Sequence, residues 1–237
     1  MSILFISDLH LSPSRPDITH CFVHFMQTEA IHAKALYVLG DLFDFWIGDD
    51  DPSEFAQQIK AQFHALTQQG VACYFVHGNR DFLLGSRFER ETGVICLEQE
   101  TIIELYGQTA VILHGDTLCT LDTRYQAYRK KVHQPWLQWL FNALPFRLKK
   151  RIVGKVQSDI REDRQQKPED IMDVTPSEVQ KVMKKHQVKL MIHGHTHRPW
   201  IHKTADHTRI VLGDWFTQGS VLTFTEHGYQ LSSRQLQ

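Results

Sequence analysis

Residues 35–44 read ALYVLGDLFD, an apolar run that ends at a glycine and is followed by carboxylates. The same change from apolar residues to metal-ligand types occurs at residues 3–10, 73–81, 110–116 and 190–197. Each apolar run is short, rich in Val, Ile, Leu, Phe or Tyr, and bounded by turn-forming residues, which is typical of a buried strand. Because side chains at the carboxyl ends of such strands converge in an α/β sheet, we expect the Asp, His and Asn residues to meet. The pattern therefore predicts an α/β fold with a metal site at one edge.

Length and composition place few other limits on the fold. At 237 residues the chain suits one domain with room for a subdomain, and its 42% apolar and 22% charged content is ordinary for a globular protein. The four cysteines show no C-x-x-C spacing, which favours reduced thiols in an intracellular protein. The chain opens directly on a predicted strand, and it lacks the ~20 consecutive apolar residues of a spanning helix. We therefore expect neither a signal peptide nor a membrane-spanning segment.

Strand and helix signals alternate in two portions of the chain. Apolar residues at helical spacing predict helices over 18–30 and 55–66, the second ending before Gly70. Residues 175–178 read TPSE, which predicts a helix start with a capping box, and this helix is expected to run to about His186. The remaining chain reads as short strands separated at Gly213, Gly219 and Gly228.

The segment between these portions has a different composition. Residues 124–155 hold nine of the 26 Lys and Arg residues of the chain and none of its 27 Asp and Glu residues. Aromatic and apolar residues, including Trp136, Trp139 and Phe141, occur there at helical spacing. The pattern fits a helical insertion that binds anionic, partly apolar material. It also fits a helical hairpin packed on the core with a solvated basic face, but the complete lack of acidic residues favours a binding role.

The ligand types indicate two metal ions. Asp8 and His10 are two residues apart at a strand end, so one cation can bind both. Asp41 follows a glycine turn that leaves its carboxylate free to bridge two cations, and Asn79 offers a neutral oxygen that suits Mn²⁺ or Fe²⁺ better than structural zinc. Imidazole ligands come from His114, His195 and His197. Seven mixed ligands suit two octahedral ions that share a carboxylate, and such pairs hydrolyse phosphoesters or phosphoanhydrides.

Neighbouring polar residues receive supporting roles. Taken singly, each histidine could be a core residue and each aspartate a helix cap, but five blocks in one order favour a metal site. We interpret His77 and His193, just inside their strands, as core residues or as groups that orient ligands. Asp44, Asp81 and Asp116 are interpreted as groups that orient the ligands.

The ordered motifs D-x-H, G-D-x-x-D, G-N-R-D, H-G-D and G-H-T-H resemble those of the calcineurin-like metallophosphoesterase superfamily. The resemblance covers nearly the whole chain apart from the basic segment. It implies a four-layer αββα sandwich, in which two sheets pack together between helices. It also implies that Asp8, His10, Asp41 and His197 bind the first Mn²⁺, and that Asp41, Asn79, His114 and His195 bind the second.

One position departs from the common pattern of the superfamily. Its protein phosphatases carry a histidine after the asparagine, which helps to protonate an alcohol leaving group, whereas this chain has Arg80. Arginine does not donate a proton but binds phosphate oxygens bidentately. A phosphate leaving group has a low pKa and needs no general acid. Arg80 therefore favours a phosphoanhydride substrate over a phosphoprotein.

Within this superfamily, the chain resembles the bacterial UDP-2,3-diacylglucosamine pyrophosphatases of lipid A synthesis. The matching stretches are residues 6–11, 39–43, 46–51, 77–85, 114–119, 131–138 and 192–199. Those enzymes carry a helical lid where the basic segment lies. The resemblance thus implies a core of residues 1–120 and 171–237 with an inserted helical lid of residues 121–170.

The same resemblance implies an activity and its residues. The expected reaction is Mn²⁺-dependent hydrolysis of UDP-2,3-diacylglucosamine to UMP and 2,3-diacylglucosamine 1-phosphate, by attack of metal-bound hydroxide on the α-phosphorus. The implied catalytic residues are Asp41, Asn79, Arg80 and His114. The implied substrate contacts are Asn79, Arg80, Asp122, Ile160, Arg164, Lys167 and His195. Where the family has a small polar residue, Ile160 offers only its backbone, and Arg164, in place of asparagine, could pair with phosphate.

The implied location is the cytoplasmic face of the bacterial inner membrane, with peripheral contact to the bilayer. The expected partner is the UDP-linked diacylglucosamine lipid, and neither nucleic acid nor a protein partner is expected.

Two other functions compete with this hydrolase. A phosphodiesterase or nuclease could use the basic segment for nucleic acid, but its apolar residues are clustered and not spaced as stacking platforms. A non-catalytic scaffold would be expected to have lost one or two ligands, and all seven are present.

Overall fold

The computed structural model describes residues 1–165, 173–216 and 218–235, with the side chains of 158–165, 218, 234 and 235 left outside this description. Eleven strands are present in the described residues: β1 (Ser2–Ile6), β2 (Ala33–Val38), β3 (Ala72–Val76), β4 (Ile95–Leu97), β5 (Thr101–Leu105), β6 (Gln108–Ile112), β7 (Leu190–His193), β8 (Trp200–Lys203), β9 (Thr208–Val211), β10 (Gln218–Thr225) and β11 (Gly228–Gln235). The same residues form seven α-helices: α1 (Pro16–Thr28), α2 (Glu54–Gln68), α3 (Ser86–Thr92), α4 (Thr123–Val132), α5 (Pro135–Asn142), α6 (Phe146–Gln165) and α7 (Pro176–His186). The five strands expected from the apolar runs are all present.

The strands form two sheets. The first has the order β11-β10-β1-β2-β3-β4, and the second has the order β5-β6-β7-β9-β8. Strands β1 to β4 are parallel to one another, as are β6, β7 and β9. Because parallel strands end at the same edge of a sheet, the loops after β1, β2 and β3 lie together, and so do those after β6 and β7.

Three apolar clusters hold the layers together. Helices α1 and α2 pack on the outer face of the first sheet, where Phe22 and Phe63 are buried. Phe5 and Ile192 lie in the cluster between the two sheets. Helix α7 packs on the outer face of the second sheet, where Val182 belongs to the third cluster. The layers therefore follow the order helix, sheet, sheet, helix, and the predicted αββα sandwich is confirmed.

Helices α4, α5 and α6, which we call the insertion, fall within the predicted lid of residues 121–170. That these residues act as a lid stays a prediction. Across the described ranges, every helix is too short or too polar to cross a bilayer.

Two local predictions were wrong. The capping box at the start of α7 does not form, because the Thr175 hydroxyl contacts the Thr120 hydroxyl (2.8 Å) and the Glu178 carboxylate bonds Lys181 (3.0 Å). The helix begins at a proline, whose fixed φ suits the first helical position. Gly219 does not separate strands but pairs with Arg234 inside the β10–β11 ladder.

Candidate metal centre

The seven predicted ligands lie in the loops after five strands, which we call the ligand edge. Asp8 and His10 follow β1, and Asp41 follows β2. Main-chain hydrogen bonds join these two loops, from Asp8 N to Gly40 O (3.1 Å) and from His10 N to Asp41 O (3.0 Å). The loops after β3, β6 and β7 supply Asn79, His114, His195 and His197. The parallel topology thus gathers side chains from both ends of the chain.

The backbone of the ligand edge is held in an uncommon conformation. Seven described residues other than glycine have positive φ, and five of them are predicted ligands: Asp8, His10, Asp41, His195 and His197. The left-handed region costs free energy for such residues and persists where the surrounding structure enforces it, commonly at functional sites. Five left-handed residues at the ligand edge therefore indicate side chains that the fold holds in position for a ligand.

Two glycines allow the loops after β2 and β3 to touch. A Cβ at Gly40 would lie 2.6 Å from the Cα of Gly78 and 2.6 Å from Nδ1 of His114, closer than real Cβ contacts. A Cβ at Gly78 would overlap the carboxylate of Asp41. A side chain at Gly40 would therefore displace His114 or the main chain of Gly78, and one at Gly78 would displace the Asp41 carboxylate.

Asp8, His10 and His197 form the first ligand group, with ligand atoms that all lie within 4.8 Å of one another. Nε2 of His197 is 3.3 Å from Oδ1 of Asp8 and 3.2 Å from Nε2 of His10. Oδ1 of Asp8 and Nδ1 of His10 are buried and have no hydrogen-bond partner among the described residues. Buried polar atoms without such a partner are rare, and a carboxylate facing imidazole nitrogens suits a divalent transition metal. The donors present therefore fit a metal ion.

A second ligand group surrounds the amide oxygen of Asn79. This oxygen lies 3.0 Å from Nε2 of His114 and 2.9 Å from Nδ1 of His195. The Asp41 carboxylate lies between the two groups, with Oδ1 3.7 Å from Nε2 of His114 and Oδ2 3.9 Å from Nε2 of His10. One oxygen directed toward each group is the arrangement of a carboxylate that can bridge two ions.

Neighbouring charges at the ligand edge shift the pKa values of Asp8 and His197 in opposite directions. Burial would raise the pKa of Asp8, but His197, His114 and His10 lower it far below the usual range. Burial would also lower the pKa of His197, yet Asp8 and the Asp214 carboxylate raise it to about 10. Positive charge is thus favoured beside Asp8, as a divalent ion would supply it.

Asp81 joins two ligand loops. Its Oδ2 accepts a hydrogen bond from Leu42 N (2.7 Å) and its Oδ1 accepts one from Gly78 N (2.8 Å). Burial and the neighbouring Asp41 raise the pKa of Asp81 to about 6. The loops that carry Asp41 and Asn79 are therefore tied to one carboxylate.

Arg80 is held at the ligand edge by Asp44. Nη1 of Arg80 donates to Oδ1 of Asp44 (2.8 Å), and Nε lies 3.7 Å from Oδ2 of Asp41. The main-chain N of Arg80 also donates to Oδ1 of Asp41 (3.0 Å). The guanidinium is thereby held beside Asp41, the carboxylate that lies between the two ligand groups.

Asp116 supports the insertion more directly than it supports a ligand. This buried carboxylate accepts hydrogen bonds from the Tyr125 hydroxyl (2.6 Å) and from Nε of Arg129, both on α4. The Tyr125 ring lies 6.3 Å from the ring of His195. The first helix of the insertion is therefore anchored next to the second ligand group.

His77 and His193 make local contacts. Nε2 of His77 lies 2.7 Å from Leu84 O, and Nδ1 of His193 lies 2.8 Å from Gly194 O. Burial lowers the pKa of His193 to about 4. These contacts agree with the interpretation of both as core or supporting residues.

The remaining predicted substrate contacts stay predictions. Asp122 is the N-cap of α4, where its side chain accepts a hydrogen bond from Tyr125 N (3.0 Å). Lys167 lies outside the described residues, and so do the side chains of Ile160 and Arg164. A role for Asp122 as a helix cap was not expected from the sequence.

Sequence reasoning missed Asp214. Its Oδ2 lies 3.2 Å from Nδ1 of His197, on the opposite side of the ring from Asp8. A signal was available, because residues 211–214 read VLGD, as do residues 38–41, and also follow a strand. A carboxylate that bonds the second nitrogen of a ligand histidine fixes the ring orientation.

Two of the nine cations in the basic segment do not face a binding partner, contrary to the interpretation of the segment as a binding surface. Arg129 pairs with buried Asp116, and Lys149 is itself 1% exposed and pairs with Asp50 at 2.8 Å. These two cations are structural and are unavailable to an anionic partner. Large apolar residues of the insertion are instead exposed: Trp136, Trp139, Leu140, Leu148 and Ile152.

Known proteins match the chain along its full length. The family model described as Calcineurin-like phosphoesterase matches residues 1–199. A protein named UDP-2,3-diacylglucosamine hydrolase from Vibrio cholerae serotype O1 (strain ATCC 39541 / Classical Ogawa 395 / O395) is 65% identical over 242 residues, which cover 100% of this chain and 98% of that protein. A protein of the same name from Vibrio atlanticus (strain LGP32) is 62% identical over 239 residues, which cover 99% and 98%.

A solved structure resembles the chain in fold. An archaeal phosphodiesterase superposes with a TM-score of 0.51 at 14% identity, and the match covers 98% of this chain and 99% of that one. At this identity the likeness concerns the fold alone.

Proposed function

The chain belongs to the calcineurin-like phosphoesterase family and is a metal-dependent hydrolase, and from this premise we propose that it hydrolyses the diphosphate of UDP-2,3-diacylglucosamine. The products are UMP and 2,3-diacylglucosamine 1-phosphate. One observation carries the proposal: relatives that are 62% and 65% identical over nearly their whole length bear the name UDP-2,3-diacylglucosamine hydrolase. Because the match covers at least 99% of this chain, it includes the insertion as well as the ligand edge.

The cofactor is proposed to be two Mn²⁺ ions. The first ligand group together with Asp41 would hold one ion, and Asp41 with the second group would hold the other. Support comes from the Asp41 carboxylate, which directs one oxygen toward each group. The amide oxygen of Asn79 among imidazoles favours an ion such as Mn²⁺ over structural zinc. When bound, such a pair lowers the pKa of water and offsets phosphate charge.

The proposed reaction is an attack of water on the α-phosphorus, assisted by Arg80. The oxygen of a water molecule bonds to the α-phosphorus and its protons pass to solvent. The bond from that phosphorus to the oxygen bridging the β-phosphorus breaks, and its electron pair stays on the phosphate of the lipid product. Arg80, fixed by Asp44, binds the phosphate oxygens and stabilises the charge that develops on them. Because the leaving group is a phosphate monoester with a low pKa, the reaction needs no proton donor at the position of Arg80. The proposed catalytic residues are Asp41, Asn79, Arg80 and His114.

The insertion is proposed to bind the acyl chains and the cytoplasmic face of the inner membrane. Trp136 and Trp139 on α5 are 64% and 73% exposed, which is unusual for large apolar side chains. Arg147, Lys150 and Arg151 on α6 are exposed as well. Apolar residues beside cations match the acyl chains and anionic headgroups of a lipid surface.

Hydrolysis in ¹⁸O-labelled water tests the reaction and the bond attacked. The purified protein is incubated with Mn²⁺ and UDP-2,3-diacylglucosamine, and both products are analysed by mass spectrometry. We expect one ¹⁸O atom in UMP and unlabelled 2,3-diacylglucosamine 1-phosphate. Label in the lipid product would move the attack to the β-phosphorus, and the absence of UMP would refute the proposed substrate. Single-stranded DNA in a parallel reaction tests the nuclease alternative.

A further inference from the structure

Lys149 differs from the cations next to it at the start of helix α6. Arg147, Lys150 and Arg151 are exposed, whereas Lys149 is 1% exposed and is among the largest fully buried side chains of the described residues. Its Nζ donates a hydrogen bond to Oδ1 of Asp50 at 2.8 Å. A buried ammonium group requires a partner, because losing that partner leaves an uncompensated charge away from water.

The three acidic residues after Gly48 have separate partners. Asp49 accepts hydrogen bonds from main-chain N atoms at the start of α3, including that of Phe88 at 3.0 Å. Asp51 accepts one from Ser53 N at 2.9 Å, just before α2. Asp50 pairs with Lys149 of the insertion. The acidic run is therefore a structural junction and not a third metal site.

Gly48 makes room for the ion pair. Its φ is +147°, and a Cβ there would lie 2.8 Å from Oδ1 of Asp50 and 3.3 Å from Nζ of Lys149. A side chain at Gly48 would push the carboxylate and the ammonium group apart. The seam between the core loop and α6 is thus shaped around these two charges.

The loop that carries Asp50 is also bonded to Arg80. Trp46 N donates to Arg80 O at 2.9 Å, and Nε1 of the same tryptophan donates to Oδ1 of Asp49 at 3.0 Å. The path from α6 to Arg80 therefore runs through one ion pair and one short, hydrogen-bonded loop. The contacts thus link α6 to the main chain of Arg80, whose guanidinium is held separately by Asp44.

We propose that Lys149 is a positioning residue: its ion pair with Asp50 sets the distance between the insertion and Arg80. This inference rests on the proposed function, in which the insertion binds acyl chains and Arg80 binds the diphosphate. A substrate of two linked parts binds productively only when the two surfaces that hold them are at a fixed separation. Lys149 would thus govern selection of the whole lipid substrate without contacting it.

Amide hydrogen exchange of the metal-loaded, substrate-free protein tests the pair independently of the substrate. Lys149→Met is expected to raise exchange in α5 and α6 about tenfold and to leave β1, β2 and β6 unchanged, because only the local opening of the insertion becomes easier. Lys149→Arg, which keeps the charge, is expected to retain slow exchange. The matched control is Lys181→Met on α7, where the lysine side chain is 74% exposed.

Kinetics with UDP-2,3-diacylglucosamine test the positioning role. Lys149→Met is expected to raise KM about tenfold and to change kcat less than twofold, because the ligand edge itself is intact. Lys149→Glu combined with Asp50→Lys re-forms the pair in reverse and is expected to recover most of the loss, which would show that the effect depends on the pair and not on lysine itself. If Lys149→Met does not fold, Asp50→Asn removes the same pair with almost no change in shape.

The proposal is overturned if Lys149→Met and Asp50→Asn leave both exchange and KM at wild-type values, or if exchange rises while KM does not. If the wild-type protein releases no UMP, the proposed function fails instead, and the exchange measurement still decides whether the pair holds the insertion.

Discussion

The ligand edge and the insertion bury opposite kinds of side chain. At the ligand edge Asp8, Asp41 and His114 are 2% exposed or less, although each can carry a charge. On the insertion Trp136 and Trp139 are mostly exposed, although both are apolar. Each region is therefore the reverse of ordinary burial, in which charged groups face water and apolar groups face the core.

The two reversals indicate two kinds of partner. Buried charge and left-handed backbone at the ligand edge cost free energy that a pair of bound cations would recover. Exposed tryptophan on the insertion leaves apolar surface in water that a lipid would cover. Two ion pairs, each with one buried member, join the insertion to the core and belong to neither pattern: Arg129 with Asp116, and Lys149 with Asp50.

The largest expected effect comes from removing a ligand. His114→Ala is expected to lower Mn²⁺-dependent release of UMP about a thousandfold, because it removes an imidazole from the second ligand group. Isothermal titration with Mn²⁺ should show loss of one binding site. The control is His227→Ala, which changes a histidine whose side chain is 87% exposed. This variant should keep the wild-type rate of UMP release and the wild-type number of Mn²⁺ sites. Undiminished turnover in His114→Ala would contradict the assigned site.

Breaking the ion pair at the start of the insertion should affect stability. Arg129→Met leaves the Asp116 carboxylate buried without its charge partner, so the free energy of unfolding should fall by about 3 kcal/mol. Urea denaturation measures this change, and Arg90→Met, at an exposed position of α3, serves as the reference. Equal stability of the two variants would show that Arg129 does not anchor α4.

Asp214 should act through His197. Asp214→Asn removes the charge next to Nδ1 of the ligand ring, and the affinity of the first site for Mn²⁺ should fall about thirtyfold. Competition with a chelator of known affinity measures this loss. Asp206→Asn, at an exposed position between β8 and β9, should leave the affinity unchanged. A similar loss in both variants would point to general electrostatics and not to ring orientation.

The smallest effect should come from the exposed tryptophans. Replacing Trp136 and Trp139 together by alanine should weaken binding to vesicles that contain anionic lipid about tenfold, with kcat unchanged, because apolar contact area is lost. Vesicle sedimentation measures the binding. Trp200→Ala, which removes a tryptophan that is 65% exposed on the core, should bind as the wild type does. Equal loss in all variants would refute a specific lipid face on the insertion.

Much of the fold and the ligand edge followed from local sequence. Each predicted ligand stands directly after an apolar run, so strand order alone was enough to bring Asp8, Asn79 and His195 together. The helix α7 was predicted with its end at His186, but its capping box was not formed because Thr120 competes for the Thr175 hydroxyl. Local signals predicted elements well and the hydrogen bonds at their ends less well.

Contacts between distant segments were beyond the sequence pattern. Lys149 looks like its basic neighbours on α6, and its burial depends on Asp50, which lies 99 residues earlier. Asp214 was missed although the VLGD stretch repeats, because nothing local shows that its side chain reaches His197. Roles that depend on one pair of residues across the fold require the three-dimensional arrangement.

Anomalous diffraction at the manganese edge tests the account most directly. Crystals of the protein grown with Mn²⁺ should show two anomalous peaks about 3.5–4 Å apart, with the Asp41 carboxylate between them. One peak should lie next to Asp8, His10 and His197, and the other next to Asn79, His114 and His195. A single peak, or peaks away from Asp41, would contradict a two-metal hydrolase built on these seven residues.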